Sequence, residues 1–493
     1  MSATALTPTG EQAAIVAAAH AGHDLVVEAG AGTGKTSTLK LIAQASPHRR
    51  GIYVAYNRAI AADAKRAFPA HVTCATAHAL AFRAVGRRYA HRLNAPRVPA
   101  RQTARLLGIT RPLRLDPDRV LAPEQTARVV METITRFCYS AAPEPAPGHV
   151  PGNLPGLDDP AALAVLRRVV VPLARRAWDD LSSPDGRLRF THDCYLKLWQ
   201  LSDPRLPCDY VLFDEAQDAN PCVAAVVDRQ VHAQRILVGD SCQAIYGWRG
   251  AIDALARFPA DQRLVLSQSF RFGPAIAAEA NRWLALLDAP LRLRGSTRLH
   301  SRVGPLPRAD AVLCRTNAEA VRQVLLGVDQ ARRVALVGGG EPIRRLAQAA
   351  ISLKAGRGTD HPELFAFQTW AEVQDYAAND HAGADLKVLV DLIDSHGPEQ
   401  LIYLVDQLVP ETDADLVVST AHKAKGREWP TVRLAGDFAG PDQRGDGRPA
   451  EVPRAEAMLA YVAVTRARHA LDPAGLAPTD QPQPAERPGR WWA

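Results

Sequence analysis

No two cysteines in this 493-residue chain form a CxxC pair; Cys74, Cys138, Cys194, Cys208, Cys222, Cys242 and Cys314 are scattered singly. An odd, dispersed set argues against a disulfide framework, a zinc site or an iron–sulfur cluster, and fits thiols in a reducing cytosol. No run of about 18 apolar residues exists to span a bilayer. Met1 to Gly22 has no basic segment followed by an apolar run, so it is not expected to be a secretory signal. No repeat of fixed period is visible. Neither sign of charge dominates: 59 basic residues stand against 52 acidic ones, giving a net charge of +7. So small an excess is compatible with a nucleic-acid partner without identifying one. What is present is an ordinary globular composition, 47% hydrophobic and 23% charged, long enough for several domains. A cytoplasmic protein without a membrane partner is expected, nucleoid-associated if bacterial.

Short apolar strands alternate with helical stretches, the pattern of α/β units with parallel sheets. One series is expected at Asp24–Glu28, Ile52–Tyr56, Tyr210–Phe213 and Arg235–Val238. A second is expected at Ala311–Cys314, Arg333–Val337, Leu416–Ser419 and Val432–Ala435. Two series imply two α/β domains. Between them, Ala81 to Leu206 is Arg-rich and mostly helical, with a Pro/Gly-rich loop from Ala142 to Pro160. Leu353 to Thr412 is mostly helical and carries no recognisable chemistry. Asp437 to Pro453 reads as a surface loop, and the chain after Leu471 as a loosely ordered tail.

Three blocks carry chemistry. Glu28-Ala29-Gly30-Ala31-Gly32-Thr33-Gly34-Lys35-Thr36 follows a strand and opens a helix. It fits the phosphate-loop pattern, with Ala29 in place of the first glycine. Such glycines let backbone N–H groups surround phosphates, and the helix N-terminus favours an anion. Lys35 would reach the β- and γ-phosphates and the Thr36 hydroxyl would bind Mg²⁺. The flanking strand and helix set aside the reading as a plain Gly-rich turn. Second, the apolar run Val211-Leu212-Phe213 ends in Asp214-Glu215-Ala216-Gln217-Asp218. Asp214 would hold Mg²⁺, and Glu215 would take a proton from the attacking water. Alone, a DE pair is usually a solvated turn; beside the phosphate loop the catalytic reading wins. Third, Val238-Gly239-Asp240-Ser241-Cys242-Gln243 leads into Ala244-Ile245-Tyr246-Gly247-Trp248-Arg249-Gly250. Gln243 would sense the γ-phosphate or orient the attacking water. Tyr246 and Trp248 would stack on bases, or else are core aromatics.

These blocks together resemble the UvrD/PcrA-like branch of the superfamily 1 helicases, and further motifs follow in order. Leu6-Thr7-Pro8-Thr9-Gly10-Glu11-Gln12 is similar to the family's Q motif, in which Gln12 would recognise adenine. Tyr53-Val54-Ala55-Tyr56-Asn57-Arg58-Ala59 and Thr73-Cys74-Ala75-Thr76-Ala77-His78 resemble its two DNA-contacting motifs. Ser269-Phe270-Arg271 resembles the aromatic–arginine pair, implying that Phe270 stacks on adenine and Arg271 touches the γ-phosphate. Leu313-Cys314-Arg315-Thr316-Asn317 matches the next short motif. Thr420-Ala421-His422-Lys423-Ala424-Lys425-Gly426-Arg427-Glu428-Trp429 matches the one that binds DNA and nucleotide, with Glu428 on the ribose. Tyr461-Val462-Ala463-Val464-Thr465-Arg466-Ala467-Arg468 matches the last, with Arg466 as arginine finger. The wording of Thr191-His192-Asp193-Cys194-Tyr195-Leu196-Lys197-Leu198-Trp199 and of Lys425–Trp429 resembles the F-box DNA helicase type, although no F-box segment is evident. Ser37 departs from the arginine common near the nucleotide in PcrA-like members. No nuclease domain is read after Arg468.

The resemblance implies two RecA-like motor domains, the P-loop NTPase fold, with a helical insertion in the first and a reduced one in the second. The expected divisions are 1–82 with 205–265 for the first motor domain and 83–204 for its insertion. The second motor domain takes 266–352 with 413–470, its reduced insertion 353–412, and the tail 471–493. It implies ATP and Mg²⁺ in a cleft between the motor domains. The implied partner is single-stranded DNA, in tailed or forked duplexes, with 3′ to 5′ movement; a protein loading partner is unidentified. Tyr56, Asn57, Thr76, His78, Tyr246, Trp248, Arg249, Asn317, His422 and Lys423 are the expected DNA contacts. Two other readings stay open: an ATP-gated clamp or translocase on single strands that displaces proteins without unwinding, and an RNA helicase.

Overall fold

The computed structural model describes residues 7–93, 99–117, 119–152, 159–245, 253–361, 364, 367–379, 384–438, 452–473 and 476. The chain divides into two compact units, residues 1–29 with 34–266, and residues 30–33 with 267–493.

In the first unit, β1 (Leu25–Ala29), β2 (Gly51–Ala55) and β3 (Val72–Thr76) are followed by a small hairpin, β4 (Leu113–Arg114) and β5 (Val120–Leu121). Then come β6 (Tyr210–Phe213), β7 (Gln234–Gly239) and β8 (Gln262–Leu266). Apart from the hairpin these strands form one six-stranded sheet in the order β3-β2-β6-β7-β1-β8, parallel throughout. A parallel sheet needs both faces covered, so its strands read as apolar runs. Successive residues point to opposite faces, and the cores divide accordingly. Leu25, Val27, Tyr53, Leu212, Ile236 and Val238 enter one cluster; Val26, Ile52, Val54, Val211, Phe213 and Leu237 enter the other.

That second cluster continues into the helices of residues 77–201, among them Pro123–Tyr139, Pro160–Ser182 and His192–Leu201. The helical region therefore shares a core with the sheet rather than owning one. Two buried cations tie it together. The Arg92 guanidinium donates to the carbonyls of Leu181 (3.1 Å) and Leu188 (2.8 Å) and lies over the Phe190 ring. Lys197, fully buried, donates to Ser140 O (2.8 Å), Ala142 O (2.6 Å) and Gln200 Oε1 (2.7 Å), and sits 4.5 Å from the Phe137 ring centre. Ser140 is the C-cap of the Pro123–Tyr139 helix, an end where orphan carbonyls need partners, and Ala142 stands in the chain that leaves it. Burial pulls its pKa down to about 8.

The second unit carries β9 (Arg302–Val303), β10 (Ala311–Cys314), β11 (Val334–Leu336), β12 (Leu416–Thr420), β13 (Trp429–Leu434) and β14 (Ala467–Asp472). They pair in the order β11-β12-β10-β13-β14-β9, again all parallel. Helices Asn317–Asp329, Glu341–Lys354, Trp370–Asn379, Ala384–His396 and Pro398–Asp406 follow, and their buried residues join Val312, Cys314, Leu336, Leu416 and Val418 in one core. Among the described residues no helix is long and apolar enough to cross a membrane.

Candidate active site

In open α/β sheets ligands bind beyond the carboxyl ends of the strands. In the first unit that edge carries nearly every residue with expected chemistry. Ala29 ends β1, and Gly34, Lys35 and Thr36 follow it. After β2 come Tyr56 and Asn57, Thr76 ends β3 with His78 beyond it, after β6 come Asp214 and Glu215, and after β7 Asp240 to Gln243.

The lysine and the acidic pair meet. Lys35, first residue of the helix Lys35–Gln44, places Nζ 3.3 Å from Glu215 Oε1. Thr36 Oγ1 donates to Asp214 Oδ2 at 2.9 Å, and Tyr53 Oη donates to the same oxygen at 2.6 Å. Gln217 Nε2 donates to Glu215 Oε2 (2.6 Å), while its Oε1 accepts from the Asp240 N–H (3.0 Å). Gln243 Nε2 donates to Asp240 Oδ2 at 2.6 Å. A continuous polar chain thus runs from Lys35 to Gln243 through Glu215, Gln217 and Asp240. Glu215 sits at φ 53°, a left-handed conformation that costs a non-glycine residue energy and recurs at functional sites.

The electrostatics follow from crowding charge where water is scarce. Burial, then the charge of Glu215, pushes the Asp214 carboxyl above the usual carboxylate range; the Tyr53 hydroxyl, Lys35 and Thr36 oppose this. Burial disfavours the Lys35 ammonium, but Glu215, Asp240 and Asp214 outweigh it and hold its pKa above the ordinary value. Burial and Asp214 likewise raise the Tyr53 phenol. Two carboxylates and one ammonium leave a net negative site with hard oxygen donors. The Thr36 hydroxyl and Asp214 carboxylate, already 2.9 Å apart, are a donor set that suits Mg²⁺.

Gln12 is buried, and its amide is engaged: Oε1 accepts from the Thr9 N–H (3.0 Å) and Nε2 donates to Thr38 Oγ1 (3.1 Å). Thr38 Oγ1 in turn donates to Gly34 O at 3.0 Å. Gly34 caps the helix at φ 79°, where a Cβ would be strained. Asn57 and Thr76 cap their own helices, accepting from the Ile60 N–H (2.9 Å) and the Ala79 N–H (3.1 Å). Each such cap contributes about 1 kcal/mol. Tyr56 is exposed. His78 Nε2 lies 3.2 Å from Asp193 Oδ1, on the helix that opens the Thr191–Trp199 segment.

Residues 30–33 belong to the second unit. There the Thr33 hydroxyl donates to Gly30 O (2.8 Å), the Ala31 N–H donates to Tyr461 Oη (3.1 Å), and Ser269 Oγ donates to Ala31 O (2.9 Å). A Cβ on Gly32 would fall 2.6 Å from Arg271 Cβ, so this position requires glycine. Arg271 Nε donates to Glu428 Oε2 (2.7 Å) and Nη1 to Thr465 O (3.0 Å); Arg468 lies 3.6 Å from the other Glu428 oxygen. Arg466 is 1% exposed, its guanidinium donating to Val462 O (2.8 Å) and Thr465 Oγ1 (2.8 Å). Phe270 is exposed. Asn317 opens its helix behind the cap Thr316, and Asp437 accepts from the backbone N–H groups of Arg315 and Thr316. His422 and Lys423 follow β12; burial lowers both pKa values, and Arg315 lowers that of His422 further.

Tyr246, Trp248 and Arg249 lie outside the described residues, as do most residues of the expected 437–453 loop and of the tail. Sequence reasoning missed Tyr53, Gln217, Glu28 and Ser241. Gln217 stood inside the acidic motif and Tyr53 inside a DNA-contact motif, which were signals not used.

A glycine-bearing loop after the first strand of a parallel sheet, with its lysine on an acidic pair at a neighbouring strand's end, defines a P-loop protein. The UvrD/REP helicase N-terminal domain model matches residues 199–261, which hold the acidic motif and the Asp240–Gln243 turn. F-box DNA helicase protein 1 of Schizosaccharomyces pombe is 29% identical over 518 residues, 94% of this chain and 57% of that protein. F-box DNA helicase 1 of Gallus gallus is 30% identical over 491 residues, 91% of this chain and 47% of that protein. A probable DNA helicase of Mycoplasma pneumoniae is 35% identical over 101 residues, 19% of each chain. These matches make the chain similar to the UvrD-like superfamily 1 helicases. It spans about half the length of the F-box DNA helicases it matches.

Proposed function

We propose that the chain is an ATP-dependent DNA helicase that moves along single-stranded DNA, 3′ to 5′, and unwinds duplex DNA. The observation that carries the reading is the edge of the first sheet, where Lys35 meets Glu215 and Thr36 meets Asp214. Lys35 binds and orients the terminal phosphates. Glu215, free of Lys35 once a phosphate takes its place, accepts the proton of the attacking water. Mg²⁺ bound to Thr36 and Asp214 would offset the charge of the phosphates and of the acidic pair. Phosphoryl transfer needs little beyond positioning and such charge stabilisation. Gln243 lies at the end of the polar chain from Glu215 and senses the γ-phosphate through it. Arg271 and Arg466 stabilise charge on the transferred group, Glu428 meets the ribose, and Gln12 and Phe270 recognise adenine. The two α/β units act as motor domains, with residues 83–204 and 353–412 inserted in them. Tyr56, Asn57, Thr76, His78, Tyr246, Trp248, Arg249, Asn317, His422 and Lys423 grip the DNA strand.

The test is ATP hydrolysis with and without single-stranded DNA, followed by unwinding of tailed duplexes of both polarities. Stimulation by DNA with unwinding of the 3′-tailed duplex is expected. Stimulation without strand separation would make the chain a translocase or clamp that displaces proteins. Preferential stimulation by RNA would overturn the choice of DNA.

A further inference from the structure

Glu28 is the one acidic residue in β1, and it stands directly before the phosphate loop. Alternation along the strand sends Leu25, Val27 and Ala29 into one core and Val26 into the other. A residue placed beside Val26 only for packing would be apolar. Here a partly buried carboxylate is aimed at the neighbouring strand's end. Glu28 pairs in register with Gly239 of β7, and its side chain reaches two residues further. Oε1 accepts the Ser241 N–H at 2.7 Å and Oε2 accepts the Ser241 hydroxyl at 2.8 Å. Both oxygens are spent on one residue.

Ser241 opens the short turn Ser241–Gln243. Asp240 caps that turn by accepting the Cys242 N–H (3.1 Å) and the Gln243 amide (2.6 Å). On its other side the turn is tethered by Gln217, which links the Asp240 N–H to Glu215. The turn bearing Gln243 is therefore held at two points, one from the acidic motif and one from the phosphate-loop strand. The second tether is costly. Burial, and then the charge of Asp240, with Asp253 adding less, push the Glu28 carboxyl up to about 7, against the two bonds from Ser241. A carboxylate kept beside another acid for no gain would be replaceable by any apolar residue.

We infer that Glu28 is a positioning residue that locks the Gln243 turn to the phosphate-loop strand, so that ATP turnover rather than ATP affinity depends on it. This rests on the reading of Lys35 and Glu215 as the hydrolytic site. Glu28 touches no reacting atom; it sets where Gln243 stands when the loop is filled. Misplacement of a positioning group by about 1 Å can cost on the order of 10²-fold in rate.

The experiment is steady-state ATP hydrolysis with saturating single-stranded DNA by the full chain carrying Glu28→Gln, Glu28→Ala, Ser241→Ala and the double substitution Glu28→Ala/Ser241→Ala, each with its melting temperature. For Glu28→Ala, kcat is expected to fall by on the order of 10²-fold with KM for ATP little changed. Glu28→Gln keeps an acceptor for the Ser241 N–H and should recover most of the loss. The double variant should be no slower than Glu28→Ala, because both changes cut the same tether. A rise in KM at unchanged kcat, additive losses, or a melting collapse shared by Glu28→Gln would each overturn the assignment. If the unsubstituted chain hydrolyses no ATP, the hydrolytic reading itself fails. If it is active and Lys35→Ala is not, only the role of Glu28 is at stake.

Discussion

The first sheet sets its polar residues at the carboxyl ends of its parallel strands, whereas the second unit has Arg315 and His422 after β10 and β12 but Glu428 and Arg466 just before β13 and β14, and the two units balance charge in different ways. At the first edge, Asp214 is held by two hydroxyls and Glu28 by one serine; among the described residues the ammonium that meets this group is that of Lys35, which faces Glu215. Among the described residues around Lys35 acid outnumbers base, and burial pushes the Glu28 and Asp214 carboxyls above their usual range. In the second unit the acids have arginines: Glu428 with Arg271 and Arg468, Glu456 with Arg315, Asp415 with Arg333. The first edge is short of positive charge, which a metal ion and a phosphate-bound lysine arrangement can supply. In the second unit these arginines already have carboxylate partners, so one that serves a phosphate must first leave its partner. Substitutions at the first edge should therefore strike chemistry, and those in the second unit chemistry and folding together.

The largest effect expected is that of Lys35→Ala. It removes the ammonium from a site with three carboxylates near it, and hydrolysis should fall to background. The fold should remain, because Lys35 is not part of the core; circular dichroism and melting check this. Near-normal turnover would end the assignment of the loop and dissolve the contrast between the two units.

Arg466 tests the other side. An arginine acting on the transferred phosphoryl group contributes on the order of 10³–10⁵ in rate, so Arg466→Ala should lose hydrolysis at saturating ATP. Yet this side chain is buried and satisfies Val462 O and Thr465 Oγ1. Removing it deletes these bonds from a buried charged donor, at about 1–3 kcal/mol, although Thr465 Oγ1 still donates to Val462 O at 3.0 Å. Arg466→Lys keeps a charge and a donor, and should restore most of the stability and little of the rate. If the lysine variant recovers rate and stability in parallel, Arg466 is a structural cation.

These contrasts were unequally legible in the sequence. Tyr210–Phe213 and Ala311–Cys314 are expected and observed strands with the same bounds, because an unbroken apolar run has few alternatives in a parallel sheet. β3 (Val72–Thr76) and β14 (Ala467–Asp472) were not expected as strands. The first has two threonines among its five residues and the second carries arginine and histidine, so neither reads as an apolar run. The lysine and acidic pair were readable because glycine spacing and a strand-end DE pair each imply a ligand. Their support was not. The contact of Tyr53 with Asp214 depends on β2 lying beside β6, and that of Glu28 with Ser241 on β1 lying beside β7. Strand order in space is what local sequence does not carry. The capping roles of Asn57 and Thr76 were legible in principle, since each stands just before a helix.

A third comparison lies inside the first unit, between Lys35 among acids and Lys197 among neutral acceptors. Lys197→Met removes the donor to Ser140 O, Ala142 O and Gln200 Oε1. A loss of about 2–4 kcal/mol is expected, with activity per folded molecule retained. The pH dependence has a definite sign. The folded pKa of Lys197 is depressed from 10.5 to about 8, so the unfolded chain binds the proton more tightly. Its contribution is fully present above the unfolded value and declines as pH falls through the folded value. The stability gap between wild type and Lys197→Met should widen as pH rises from about 8 to 10. A gap independent of pH would show that Lys197 titrates normally and that burial does not act on it.

The smallest effect, and the finest test of the first edge, is expected from Tyr53→Phe. The ring stays in the core between the strands, against Phe68 at 4.8 Å, so packing is preserved. Only the hydroxyl that donates to Asp214 Oδ2 is lost. Thr36 and the Glu215 backbone N–H still donate to that carboxylate. Tyr53 pulls the Asp214 pKa down, against burial and Glu215. Without it the carboxyl should protonate at higher pH, and the acid limb of kcat/KM for ATP should move upward. At pH 8 the rate should fall by about 10-fold or less, the scale of one net hydrogen bond of about 1 kcal/mol, since two other donors still hold the carboxylate. Raising Mg²⁺ should recover part of the loss, because a cation competes with the proton for the same oxygen. An acid limb unchanged from wild type would mean that Asp214 does not limit turnover at low pH. A shift to lower pH would show that the hydroxyl opposes ionisation of Asp214 instead of assisting it, and the account of how the first edge carries its excess negative charge would have to be rebuilt around Lys35 alone.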